Sequence, residues 1–152
     1  MEISEEKKRM IRNLIVLGCT ALLTIGLSFG SFAGSAPDAD SDGVPDAYDN
    51  CVNTPNGPLL ATGNCSSQED YDGNGYGQPC DTDVNNDGST GLDDIAIVIT
   101  AQGNGADDIS DFNCDLGVGL DDLATALSQI TFTPGPSGLS CAAPTATNCS
   151  AQ

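Results

Sequence analysis

The sequence contains no histidine and no tryptophan, and its only basic residues, Lys7, Lys8, Arg9 and Arg12, stand close to its start. From residue 34 onward there is no cationic side chain at all. Nucleic-acid or phosphate recognition needs surface cations, so neither class of partner is expected. General acid–base chemistry near neutral pH draws on His, Lys or a carboxylate in an apolar pocket. A cysteine nucleophile would lack an imidazole to activate it. The chain therefore reads as a non-enzyme. Aromatic residues make up only 5% of it, too few for a large core. Crosslinks or metal must supply what burial does not.

Residues 1–33 have the form of a secretory signal. A charged stretch, Met1–Asn13, precedes an apolar run from Leu14 to Phe32, and Ser31-Phe32-Ala33 puts small residues at the −3 and −1 positions of a cleavage site. The run is also long enough to serve as an uncleaved anchor. Val16-Leu17-Gly18-Cys19 offers a third alternative, lipidation at Cys19. Removal of this segment takes away every basic residue but only three acids, Glu2, Glu5 and Glu6, of the 22 in the chain. Nineteen carboxylates then face no counter-charge, and self-repulsion opposes a compact state.

Those carboxylates are not scattered. Asp83–Asp94, DVNNDGSTGLDD, places oxygen-bearing side chains at positions 1, 3 and 5 of a twelve-residue loop (Asp83, Asn85, Asp87). Gly88 follows at position 6 and a closing carboxylate, Asp94, stands at position 12. This is the spacing with which a chain winds around one hard cation, adding a backbone carbonyl at position 7, here Ser89. The template recurs. Asp38, Asp40, Asp42, Gly43, Val44, Asp46 and Asp49 fill positions 1, 3, 5, 6, 7, 9 and 12 of a loop that comes first in the chain. Asp70, Asp72, Asn74, Gly75, Tyr76, Gln78 and Asp81 do the same in a second. Asp111, Asn113, Asp115, Gly117 and Asp122 supply positions 1, 3, 5, 7 and 12 of a fourth. The third and fourth loops are an internal duplication offset by 28 residues, with seven of twelve positions identical. Sixteen of the nineteen carboxylates lie inside the four loops, where a divalent cation would cancel them. The expected cofactor is Ca²⁺, with binding coupled to folding. An acidic disordered tract would not hold Gly and carboxylates at fixed offsets four times.

Two positions depart from the template. Asn74 is a neutral ligand at position 5, which predicts a weaker or water-assisted second site. Leu116 takes position 6 of the fourth loop, where the turn wants positive φ. Gly117 follows it, so the expectation is a turn shifted by one residue or a weak site.

Six cysteines lie beyond residue 33: Cys51, Cys65, Cys80, Cys114, Cys141 and Cys149. An even number suits a disulfide framework in an exported chain, with connectivity open. No C-x-x-C pair argues for zinc. A Cys141–Cys149 bridge, a Cys114 pairing with the tail and intermolecular pairing are the three alternatives.

Asp38–Cys51 and Gln68–Asp81 match the pattern D-x-D-x-D-G-x-x-D-x-x-D-N-C, spacer, Q-x-D-x-D-G-x-G-x-G-x-x-C-D, and residues 38–81, preceded by a short linker from Gly34 in a segment 34–81, thus resemble a thrombospondin type 3 repeat. That resemblance implies calcium-wrapped segments with little regular structure and disulfides between successive segments. The spacer, 52–67, is longer than the family's and adds Cys65, which leaves the partner of Cys51 and Cys80 open. Residues 82–130 resemble a type I dockerin, implying paired loop–helix units. Apolar residues support helices after each loop: Leu92, Ile95 and Ile99 in one, Leu120, Leu123, Leu127 and Ile130 in the other, one stripe each. The β-branched run Ile95–Ile99 makes a strand the competing reading. Residues 131–152 read as a Pro/Ser/Thr-rich linker or extended arm.

The expected fold class is a mostly irregular, disulfide-stapled calcium-loop protein with a few short helices. The expected function is a secreted, extracellular or cell-surface structural protein that self-assembles through its calcium-stabilised repeats. The alternative is a docking module for a cohesin-like partner. A plain calcium buffer is the third reading. No nucleic acid and, for the mature chain, no membrane is expected as partner.

Overall fold

Among residues 36–150, only two stretches have both helical periodicity and a defined start, and these are the two α-helices of a computed structural model that describes residues 6–9, 36–106 and 108–150. Helix α1 spans Leu92–Ala101 and α2 spans Leu120–Ser128. Single 3-10 turns occupy Asp46–Tyr48 and Gln78–Cys80. No strand forms among the described residues; pairing is limited to isolated bridges. The remainder is turn and loop, crosslinked by three disulfides. Contacts divide the chain at Ser35, and Ala36–Gln152 is a compact unit of its own. Residues 1–33, which the sequence leads one to expect as a secretory signal, lie outside the described residues except for 6–9.

Each helix begins the same way. Gly91 and Gly119 are the N-caps, and the third helical residue reaches back: Asp94 Oδ2 accepts the Gly91 N–H at 2.6 Å, and Asp122 Oδ2 accepts the Gly119 N–H at 2.8 Å. Two acids in each first turn also suit the positive end of the helix dipole. The closing carboxylate of each loop is thus the cap of the helix that follows. The β-branched run Ile95–Ile99 is helical because α1 packs against α2, and tertiary burial outweighs intrinsic preference.

Helix packing splits the expected stripes. Ile95, Val98 and Ala101 of α1 meet Ala126 of α2, with Val84, Phe112 and Val118 from the loops completing the core and Leu123 packed beside it. Leu92, Ile99, Leu120 and Leu127 face outward instead. They are equivalent across the 28-residue offset, so each helix buries one apolar edge and shows another.

The offset also governs backbone pairing. Gly103 N–H donates to Val118 O at 2.9 Å and Val118 N–H to Asn104 O at 3.0 Å. Twenty-eight residues away, Thr131 N–H donates to Thr90 O at 2.8 Å and Thr90 N–H to Phe132 O at 2.9 Å. Gly103 has φ +87° and its counterpart Thr131 φ +74°. Each loop is therefore tied to the segment leaving the other loop's helix.

Residues 36–81 have no apolar core. A buried amide group takes its place: Asn50 Nδ2 donates to Gln68 O, Asn56 Nδ2 donates to Asn50 Oδ1, and Gln68 Nε2 donates to Asn56 Oδ1. Cys51–Cys80 crosslinks this region, and Cys65–Cys114 ties it to the fourth loop. The tail is not an extended arm. It folds back, with Val52 N–H donating to Pro136 O at 2.9 Å and Gly135 N–H to Cys80 O at 3.0 Å. Its Cys141–Cys149 bridge is local.

Candidate metal centre

The first loop gathers its carboxylates most closely. Asp38, Asp40 and Asp42 each place an oxygen within 4.8 Å of the other two. Gly43, at φ +97°, turns the chain so that its N–H donates to Asp38 Oδ2 at 3.2 Å. Val44 N–H donates to Asp42 Oδ1 at 2.7 Å, and Asp46 Oδ1 accepts the Ala39 N–H across the loop at 2.7 Å. Asp49 closes the loop from a position only 1% exposed. Three buried carboxylate oxygens have no hydrogen-bond partner: Asp38 Oδ1, Asp40 Oδ2 and Asp49 Oδ2. A buried anionic oxygen without a donor is costly. An oxygen-only donor set with this deficit fits a hard divalent cation. Among the described residues the other cluster of possible ligands, Cys65, Glu69 and Cys114, has its two sulfurs joined in a disulfide.

Behind this loop stand residues to which the sequence reading assigned no role. The spacer wraps over Asp42: Asn56 N–H donates to Asp42 Oδ2 at 2.9 Å and Leu59 N–H to Asp42 O at 2.7 Å. Gln68 Oε1 accepts the Asn50 N–H at 2.7 Å, holding the residue next to Asp49. Asn50 and Gln68 are letters of the repeat pattern, and polar residues fixed among loop ligands are the signal that marks them.

In the second loop the Asp70 carboxylate accepts from Gly73 N–H at 2.8 Å and Gly75 N–H at 2.9 Å. Asn74 Oδ1 accepts the Tyr76 N–H, while its Nδ2 donates to Asp72 Oδ2, to Asp81 Oδ2 and to Asn86 Oδ1 in the third loop. Asn74 therefore ties two loops together. Gln78, placed at position 9 by the sequence, spans two segments: its Nε2 donates to Ile109 O at 2.7 Å while its Oε1 accepts the Tyr71 N–H of the loop at 3.4 Å.

The third and fourth loops share much of their hydrogen bonding. Asp83 accepts from the N–H groups of Asp87 at 3.0 Å and Gly88 at 2.7 Å; Asp111 accepts from Asp115 and Leu116, both at 3.1 Å. Asn85 donates to Asp93 Oδ2 and Asn113 to Asp121 Oδ2, each at 2.7 Å. Ser89 N–H donates to Asp87 Oδ1 at 3.2 Å, whereas Gly117 bridges to Gly105. Leu116 itself adopts φ +81°, so the turn does not shift to Gly117.

Burial governs the titration of these groups. It pushes the Asp40 carboxyl up to about 6, with the Asp42 charge adding to it. Asp70 rises to about 6 and Asp81 to about 7, burial again leading; hydrogen bonds from Gly75 and Asn74 respectively pull the other way. Asp49, Asp83, Asp111 and Asp122 are raised as well, each by burial first. Carboxylates buried beside one another are poor anions alone and good ligands together.

Comparison of the chain with protein-family models, curated protein sequences and solved structures returned no match. Three disulfides fit an oxidising compartment, and no helix among the described residues is long and apolar enough to cross a membrane.

Proposed function

We propose that the chain is a secreted, calcium-binding structural protein that self-assembles outside the cell. The observation that carries the calcium reading is the set of buried, donor-less oxygens on Asp38, Asp40 and Asp49. Asp38, Asp40, Asp42 and Asp49 would hold the ion in the first loop. In the second, Asp70, Asp72 and Asp81 serve; in the third, Asp83, Asn85, Asp87 and Asp94; in the fourth, Asp111, Asn113, Asp115 and Asp122. In this reading residues 34–81 are a thrombospondin type 3-like segment and 82–130 a dockerin-like pair, and the chain performs no catalysis. Copies with nineteen carboxylates and no cation beyond residue 33 repel one another. Bound calcium would reduce that charge and let the outward apolar pairs Leu92/Ile99 and Leu120/Leu127 come together.

Those same exposed pairs favour a second reading, docking to a cohesin-like surface partner. Light scattering and electron microscopy of the chain in millimolar Ca²⁺, then in excess EGTA, separate the two. Ordered assemblies that dissolve on chelation support self-assembly. A calcium-loaded monomer that only unfolds in EGTA defeats it and leaves the docking module. Identical behaviour in both conditions defeats calcium binding itself.

A further inference from the structure

The second loop turns its N–H groups inward, onto Asp70 and Asp72, and so leaves carbonyls facing out. The tail supplies donors for them: Cys149 N–H to Gly73 O at 2.8 Å and Ala143 N–H to Asn74 O at 3.1 Å. In the first loop, Gly138 N–H donates to Asp49 O at 2.8 Å, the backbone of the residue whose Oδ2 has no partner. The approach is close at each point. A Cβ at Gly138 would overlap Asp46 O, one at Gly75 would overlap Cys149 Sγ, and one at Gly73 would lie 3.0 Å from Thr147 O. The Cys141–Cys149 bridge, eight residues apart, shortens the segment that presents the Ala143 and Cys149 donors. Beyond residue 132 the tail contains no acid, so it acts on a cation only through the loops it holds. None of the backbone hydrogen bonds of residues 133–150 reaches 83–94 or 111–122.

We propose that Gly135–Cys149 is the outer wall of the first two cation sites and sets their affinity, leaving the third and fourth untouched. This rests on the calcium reading above. Gly138 and the Cys141–Cys149 ring are positioning elements: they order Asp49 and the Gly73–Asn74 turn before the ion arrives, so less ordering is left to binding.

The chain supplies its own site-selective reporter. It has three tyrosines and no tryptophan, and Tyr48 lies in the first loop while Tyr71 and Tyr76 lie in the second. Tyrosine-sensitised terbium(III) luminescence on the full chain therefore weights those two loops, and Tyr48→Phe removes the tyrosine of the first. The variants are Gly138→Val and the double variant Cys141→Ser/Cys149→Ser; if the first does not fold, the second decides. If the loops are ligation-competent about a tenth of the time once the wall is loosened, the luminescence midpoints rise about tenfold. The calorimetric Ca²⁺ steps of the third and fourth loops stay in place. Unchanged midpoints, or equal weakening of all four sites, overturn the proposal while calcium binding stands. No sensitised luminescence from the unmutated chain overturns both.

Discussion

Leu116 occupies the position at which the duplicate loop has Gly88, and it accepts the same backbone geometry, φ +81° against +107°. Its N–H reaches the same carboxylate oxygen, at 3.1 Å rather than 2.7 Å. Its side chain is 72% exposed, so little packing offsets the strain. The left-handed conformation costs an L-residue roughly 1–2 kcal/mol, while glycine returns about 0.5–1 kcal/mol through the freer unfolded chain. Leu116→Gly should therefore stabilise the protein by up to about 1.5 kcal/mol in urea titrations, and tighten the fourth site for Ca²⁺. A second departure from symmetry leaves a buried hydroxyl unpaired. Thr82 Oγ1 shares a hydrogen bond with Thr90 Oγ1 at 2.6 Å. The counterpart of Thr82, Ser110, is buried with its hydroxyl unpartnered, because Val118 stands where Thr90 does.

At the scale of the elements, each helix has one apolar edge in the core and another in solvent, although periodicity alone made them a single stripe. Ile95 and Leu92 share the i, i+3 pattern, yet Ile95 is 7% exposed and Leu92 77%. The two substitutions should separate sharply. Ile95→Ala leaves a cavity and should cost about 2–4 kcal/mol, whereas Leu92→Ala should change stability by less than about 0.5 kcal/mol. Thermal denaturation in calcium checks both. If Leu92→Ala instead weakens assembly seen by light scattering while leaving Tm unchanged, the outward edge is the contact surface.

For the whole molecule the balance of charge dominates. Burial raises the folded-state pKa of Asp40 and Asp70 to about 6 and of Asp81 to about 7. In the unfolded chain such groups titrate near 3.9. The metal-free fold thus binds protons more tightly than the unfolded chain. The resulting stability is fully present below the unfolded value and is lost as pH rises through about 6 to 7. In chelator, acidifying from pH 7.5 to 5 should raise Tm. In excess Ca²⁺ the sign reverses, because the ligands must be ionised to hold the ion, and the same acidification should lower Tm. Parallel melting curves under the two conditions decide it; the same trend in both would mean that the carboxylates do not bind the ion.

Much of this protein is set locally. The positions of the four loops, the helix starts at Leu92 and Leu120 and the scarcity of core follow from short-range spacing, which a linear sequence records directly. So does the mostly irregular, disulfide-rich character. Tertiary structure alone decided what depends on residues distant in the chain. It paired Cys65 with Cys114 across 49 residues, joined the Gln78 amide nitrogen to Ile109 O, and bonded Asn74 to Asn86. It also laid the Pro/Ser/Thr-rich tail back over the first two loops, because their outward carbonyls require donors that the loops themselves have turned inward.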